Sequence, residues 1–220
     1  SEDGGRHWTP VRVPPIGSPP ERDDLIGEAP ITVSADGATM VVATNQPQVT
    51  RDNGRHWEAV HGLPGRTRGV ADKVDARRFY AVDVAGGRLL VSHDAARSFL
   101  PVAGRGLPAD LTPAGRTGRE AQSALVASPD RAGDLWLQAG RRLFHSRDGG
   151  QHFTPASGRL SVELYGLGRG ALFAIGTQDG VRGIWRSIDE GRRWQRIDDD
   201  QHRWGGRYRV ISGDPRRAGR

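Results

Sequence analysis

The sequence predicts an all-β fold, a partial β-propeller of about four complete four-stranded blades with flanking strands at either end. Three observations carry that prediction. One eight-residue phrase recurs five times, its spacing matches a propeller blade, and the stretches between copies alternate apolar and polar residues in short runs. The composition agrees, because 31 Gly and 14 Pro in 220 residues suit turns and short strands better than helices.

The phrase reads Ser/Thr-x-Asp-x-Gly-x-x-Trp/Phe. Its copies are SEDGGRHW (1–8), TRDNGRHW (50–57), SHDAARSF (92–99), SRDGGQHF (146–153) and SIDEGRRW (187–194). By subtraction, the aspartates Asp3, Asp52, Asp94, Asp148 and Asp189 stand 49, 42, 54 and 41 residues apart. A four-stranded blade takes roughly 40 to 50 residues. The chemistry is that of a tight turn between strands. Asp accepts hydrogen bonds from nearby backbone N–H groups, Gly supplies positive φ, Ser or Thr ties down the entry, and the aromatic packs the turn onto its blade. In the third copy Ala95 and Ala96 replace the glycines, so that turn is expected to be strained, bulged or differently shaped.

Between the boxes, Ile31–Ser34 and Thr39–Thr44 flank an Asp36-Gly37 turn, a hairpin signal. Further strands are expected at Arg78–Val84, Arg88–Ser92, Ser123–Ala127, Asp134–Ala139, Arg142–Ser146, Ser161–Leu167, Ala171–Gly176, Gly183–Ser187 and Tyr208–Ser212. Val11–Pro20 and Gly104–Arg119 read as long surface connections of the kind that commonly carries function. The whole chain, 1–220, is expected to be a single incomplete propeller domain. A box and an outer strand stand over at the start, a lone inner strand at the end. Two uncovered blade faces of ~300 Å² each would forgo on the order of 15 kcal/mol of burial at roughly 25 cal/mol/Å². The expectation is therefore a piece of a larger propeller, or one that a partner closes.

Composition narrows the function. No run reaches the roughly 18 apolar residues of a membrane span, and no signal segment leads the chain; because Ser1 opens a motif and no Met leads, the N-terminus reads as a processed or truncated boundary, a place where an export signal can be lost. With no Cys there is neither a disulfide framework nor a thiolate metal site. The net charge of +6 comes from scattered arginines, Lys73 being the sole lysine, and no basic cluster interleaved with aromatics points to nucleic acid. No histidine pair has zinc-ligand spacing, and no Gly-rich loop joins a strand to a helix, so no metal and no cofactor are expected.

The segments joining the boxes narrow it further. VSADG (33–37), VADKVDARRFYA (70–81), GDLW (133–136), LFHSRDGGQHF (143–153), GIWRSIDEGRRWQRIDDDQHRWG (183–205) and VISGDPRRAGR (210–220) occur in that order. Together they resemble the second, C-terminal propeller of glycoside hydrolase family 74, from Ile31 onward. The resemblance implies a secreted parent, extracellular or periplasmic, with two seven-bladed propellers facing across a cleft that holds xyloglucan or a related β-glucan. Such a parent cleaves the backbone with inversion, which needs an acid and a base ~6.5 to 9.5 Å apart. It places the base in the N-terminal propeller and the acid ahead of the first box, so neither is expected here. Arg22-Asp23-Asp24-Leu25 faintly echoes a dipeptide near the family's acid, but it follows the first box and has no carboxylate partner, which favours a solvated loop.

The box aspartates are read as structural, since recurrence in every blade is what a fold requirement predicts. The stretch DDDQHRW (198–204) is the substrate-binding candidate: Asp200, Gln201 and His202 suit sugar hydroxyls and Trp204 suits a sugar face. The competing reading is a loop that hydrogen-bonds itself in place. His7, His56 and His152 sit at a variable box position and read as surface residues. Two alternatives stay open: a non-catalytic propeller that binds glycan or protein through its loops, and a sialidase-like enzyme. The sialidase reading lacks the Arg-Ile-Pro signature and needs a tyrosine nucleophile.

Overall fold

The computed structural model describes residues 3–10, 31–114, 124–201, 211–214, 217 and 219. Among the described residues, sixteen strands form four antiparallel sheets, each of four consecutive strands in simple up-and-down order. The first blade holds β1 (Ile31–Val33), β2 (Met40–Val42), β3 (Gln48–Thr50) and β4 (Glu58–Ala59). The second holds β5 (Gly69–Ala71), β6 (Phe79–Asp83), β7 (Arg88–Ser92) and β8 (Leu100–Pro101). The third holds β9 (Leu125–Ala127), β10 (Leu135–Ala139), β11 (Arg142–Ser146) and β12 (Thr154–Pro155). The fourth, with the longest strands, holds β13 (Ser161–Gly168), β14 (Ala171–Gln178), β15 (Val181–Ser187) and β16 (Gln195–Arg196).

The cores lie between blades, and the period of two in a strand explains them. In β6, Phe79 and Ala81 point into one core with Val41 and Val49 of the first blade, while Tyr80 and Val82 point into the next with Leu135 and Leu137 of the third. In β10 and β11, Trp136 and Leu143 face the fourth blade, whereas Leu137 and Phe144 face the second. A strand buried on both faces must be apolar throughout, which is why FYAV, LLV and LWL read as continuous runs.

Hydrogen bonds stitch the same joints. The Thr32 hydroxyl donates to the Gly69 carbonyl at 2.5 Å, and Arg51 Nη2 donates to the Ala95 carbonyl at 2.9 Å. The Tyr165 hydroxyl lies 2.7 Å from the carbonyl oxygens of both Ala124 and Trp136. A repeat within the connections was not foreseen: His61-Gly62-Leu63-Pro64 and Arg105-Gly106-Leu107-Pro108. His61 pairs in parallel with Ser98, and Arg105 with His152, so the chain leaving each outer strand binds the box of the next blade. Both glycines have positive φ, and a Cβ on either would stand 2.2 Å from the carbonyl oxygen of Phe99 or Phe153. The close approach excludes any side chain.

One expectation is refined and one corrected. Gly104–Arg119 is a connection without a strand, mostly exposed or half-buried over its described part, but it is anchored to the third blade. Leu111 is buried at 1% exposure, the backbone of Gly104 and Arg105 bonds to Gly150 and Gln151, and Pro113 pairs with Gly140. Residues 115–119 lie outside the described residues. The strand expected at Tyr208–Ser212 is not seen in its described part: Ile211 and Ser212 are in no strand, and Gly213 instead donates to the Leu167 carbonyl at 3.2 Å beside the end of β13. Thr9 and Pro10, after the first box, are likewise in no strand. Val11–Pro20 and Arg22–Leu25 fall outside the described residues.

Candidate functional site

Strand order sorts the turns onto two faces. The boxes join third to fourth strands, so they share a face with the turns between first and second strands. The turns between second and third strands, and the connections from each outer strand to the next blade, emerge on the opposite face. The candidate stretch 198–204 follows β16 and so begins on the loop face, away from the boxes.

On the box face, each turn uses one scheme. The Ser146 hydroxyl donates to Asp148 Oδ1 at 2.9 Å and accepts from the Gly150 N–H at 3.0 Å, while Asp148 Oδ1 accepts from the His152 N–H at 3.0 Å. The same three bonds recur around Asp52, Asp94 and Asp189. Asp3 accepts from the His7 N–H at 3.0 Å. The turn built on Ala95 and Ala96 keeps this scheme, with both alanines at left-handed φ of 59° and 62°. Strain, not a change of shape, is the consequence of losing the glycines.

Sequence reasoning missed the partner of the box histidines. His56 Nδ1 lies 2.5 Å from Asp52 Oδ2 and His152 Nδ1 lies 2.7 Å from Asp148 Oδ2; His7 meets Asp3 the same way. The recurrence of His four residues after Asp in three boxes was the available signal. The N–H and then the imidazole of His56 hold the Asp52 carboxyl down at about 2. Burial pushes Asp94 and Asp148 up, but hydrogen bonds from Ser98 and from His152 outweigh it and hold both at about 2.

On the loop face, the described part of the candidate stretch is braced by an arginine. Asp198 Oδ1 accepts from the Ile184 N–H and from Arg196 Nε, both at 2.9 Å, and Arg196 Nη2 reaches Asp200 Oδ1 at 2.9 Å. Burial pushes Asp198 up, yet its bonds to Arg196 and Ile184 carry it below the usual carboxylate range. The Asp199 carboxylate accepts from the Gln201 N–H at 2.9 Å. Asp200 and Gln201 are exposed. His202 and Trp204 lie outside the described residues. Nearby on the same rim, Arg182 holds Glu163 bidentately at 3.0 and 2.8 Å, and Arg159 pairs with Asp179.

These pairings limit the chemistry. Wherever surroundings move a carboxyl group among the described residues, they move it down, Asp72, Glu163 and Asp198 included. An inverting general acid needs the opposite shift. Tyr80 donates to Asp72 at 2.9 Å and Tyr165 is committed to two carbonyls, so neither buried hydroxyl is placed as a nucleophile. No group of three or more His, Cys, Asp or Glu among the described residues could hold a metal ion, and no described helix is long and apolar enough to cross a membrane.

Four up-and-down, four-stranded blades with a shared turn at the third corner define a β-propeller portion. No protein-family model matches the sequence. A xyloglucanase of Paenibacillus sp. is 32% identical over 235 residues, an alignment that takes in 100% of this chain and 21% of the relative. The solved glycoside hydrolase family 74 xyloglucanase from Xanthomonas campestris superposes with a TM-score of 0.72 at 40% identity, over 86% of this chain and 27% of that one. The family 74 enzyme of Niastella koreensis gives 0.69 at 30% identity, over 84% and 27%. In sequence and in fold the chain is a propeller portion of glycoside hydrolase family 74. It spans about a quarter of the length of the curated relatives it matches. The Paenibacillus alignment also takes in the first 30 residues, further upstream than the motif segments reach.

Proposed function

We propose that this chain is the C-terminal propeller portion of a secreted, inverting endo-β-1,4-glucanase acting on xyloglucan or a related β-glucan, and that it forms one wall of the substrate cleft. The observation that carries the reading is its match to a xyloglucanase along the whole chain while it spans about a fifth of that relative. The facing N-terminal propeller of the same parent is its partner, and the parent acts outside the cytoplasm. The box aspartates brace turns. Asp200, Gln201, His202 and Trp204 contact the glucan, Asp200 and Gln201 from the loop face with Arg196 holding Asp200 in place. The downward-shifted carboxyl groups support an acid and a base supplied from outside this chain.

The test is release of reducing ends from xyloglucan by this chain with and without the upstream half of its parent. No turnover is expected from the chain alone, and turnover with substrate-strengthened association is expected from the pair. In the pair, Asp200→Ala and Trp204→Ala should raise KM more than they lower kcat. Robust cleavage by the isolated chain would overturn the placement of the carboxylates.

A further inference from the structure

The joints between blades differ on the box face. In the second and third blades a seven-residue turn, 72–78 or 128–134, folds over its own box: the Ala95 N–H donates to the Arg77 carbonyl, and the Gly149 N–H to the Gly133 carbonyl, both at 2.9 Å. The third blade's turn also closes the joint behind it, the Gly133 N–H donating to buried Asp72 at 2.8 Å. In the fourth blade Gly168 pairs directly with Ala171, so only Arg169 and Gly170 join β13 to β14. Among the described residues no such turn folds over the fifth box, although Asp214 and Gly219 bond to Arg169, and a groove of about 320 Å³ lies between the third and fourth blades. Leu167, Ala171 and Leu172 make one wall, Asp130, Arg131 and Asp134 the other, with Ile188 and Glu190 at the rim.

The floor is rigid. Trp136 stacks on His145 with ring centroids 3.9 Å apart and planes 11° from parallel, and His145 Nε2 lies 3.1 Å from Asp134 Oδ1. All three are buried. Most of the charges lining the groove answer one another: Asp134 faces His145 and, at 3.9 Å, Arg131, and Glu190 pairs with Arg147 from the neighbouring blade, while Asp130 is exposed to solvent. Carboxylates and a guanidinium that are mutually paired give little net field for an ion, but they retain acceptor and donor positions for hydroxyl groups. A preformed, half-apolar recess near the lower end of the roughly 300–1,000 Å³ range of small-molecule sites fits a compact, neutral ligand rich in hydroxyls.

We infer that this groove binds a single neutral sugar ring, at a site on the opposite face from the proposed cleft. The choice of a sugar among neutral polyols rests on the glucanase reading, while the groove itself does not. The experiment is a titration of the ¹⁵N-labelled chain with D-xylose and with cellobiose, followed by amide shifts, with sodium sulfate as the ionic comparison. Saturable shifts are expected at Arg131, Asp134 and Glu190. Ile188→Trp, which fills the rim from an exposed position, and Arg131→Ala should each weaken them by about tenfold or more. Asp200→Ala should leave them unchanged. The inference is overturned if neither sugar moves these amides, if sulfate moves them and sugar does not, or if both variants fold and bind as the parent does. Sugar shifts confined to Asp200 and Gln201 would sink the groove and leave the cleft reading standing; groove shifts without any at Asp200 would support the groove, and the cleft reading is decided separately by the paired assay on xyloglucan.

Discussion

The first box and the fourth are nearly the same sequence, SEDGGRHW against SRDGGQHF, and they end in opposite surroundings. Both close the turn on an Asp that accepts the N–H of the residue four places on, and both bring a His to its carboxylate. Yet Trp8 is 79% exposed and Phe153 is 4% exposed. The difference is what lies beneath. Phe153 rests in the core between the second and third blades with Leu89 and Phe144, whereas no described strand stands under Trp8. The turn is local chemistry and forms regardless; the anchoring of the turn is a property of the neighbouring blade.

Substitutions can break or sharpen that contrast. Phe153→Ala should cost about 3–5 kcal/mol, read as a lower urea midpoint, because it empties a packed joint. Gly191→Ala should cost about 2–3 kcal/mol, since left-handed φ is strained for Ala and the new Cβ would stand 1.8 Å from the Ala156 carbonyl oxygen. The same step is tolerated at Ala96 because that Cβ enters a core with Phe79 and Leu90. At Ala95, which is not packed into that core, Ala95→Gly should raise stability by about 0.5–1 kcal/mol through relief of strain, and no gain would show that the turn is not strained. Trp8→Ala should change stability by less than about 0.5 kcal/mol; a larger loss would mean that Trp8 has a packing partner.

Acid should expose the boxes together. Asp52, Asp94 and Asp148 are held at about 2, below the ordinary carboxylate value near ~3.9. A depressed folded-state value means that their contribution is complete above the unfolded value and is lost as pH falls through the folded one. Thermal midpoints should therefore hold above pH ~4 and drop between ~4 and ~2. Asp148→Asn should flatten that drop while lowering the midpoint at neutral pH, and an unchanged acid limb would remove Asp148 from the account.

Much of the fold was legible. The strands Arg88–Ser92 and Arg142–Ser146 were read with the observed bounds, because each begins after a turn and runs into a box. The short strands β3 and β5 were missed and the two-residue outer strands β4, β8, β12 and β16 were given no bounds, because none of them lies in an alternating run long enough to register on its own. Gly104–Arg119 was read as a connection, which it is, but its anchoring was not foreseen. Its Pro and Gly content reads as a loop, but Leu111 and the Gly-Leu-Pro repeat lock its described part to the next blade. Of the candidate site, the residue types were legible and the brace from Arg196 was not, since a pairing across two and four residues depends on how the chain leaves β16.

The sequence by itself determined the turns, the period and the apolar runs, because each depends on groups within a few residues: a hydroxyl, a carboxylate and two left-handed residues suffice to close a box. Only the tertiary structure decided which aromatic is buried, which glycine admits no methyl, and which joint stays open. Those are contacts between blades about 40 residues apart in sequence, where burial and close backbone approach, not local preference, dominate the free energy.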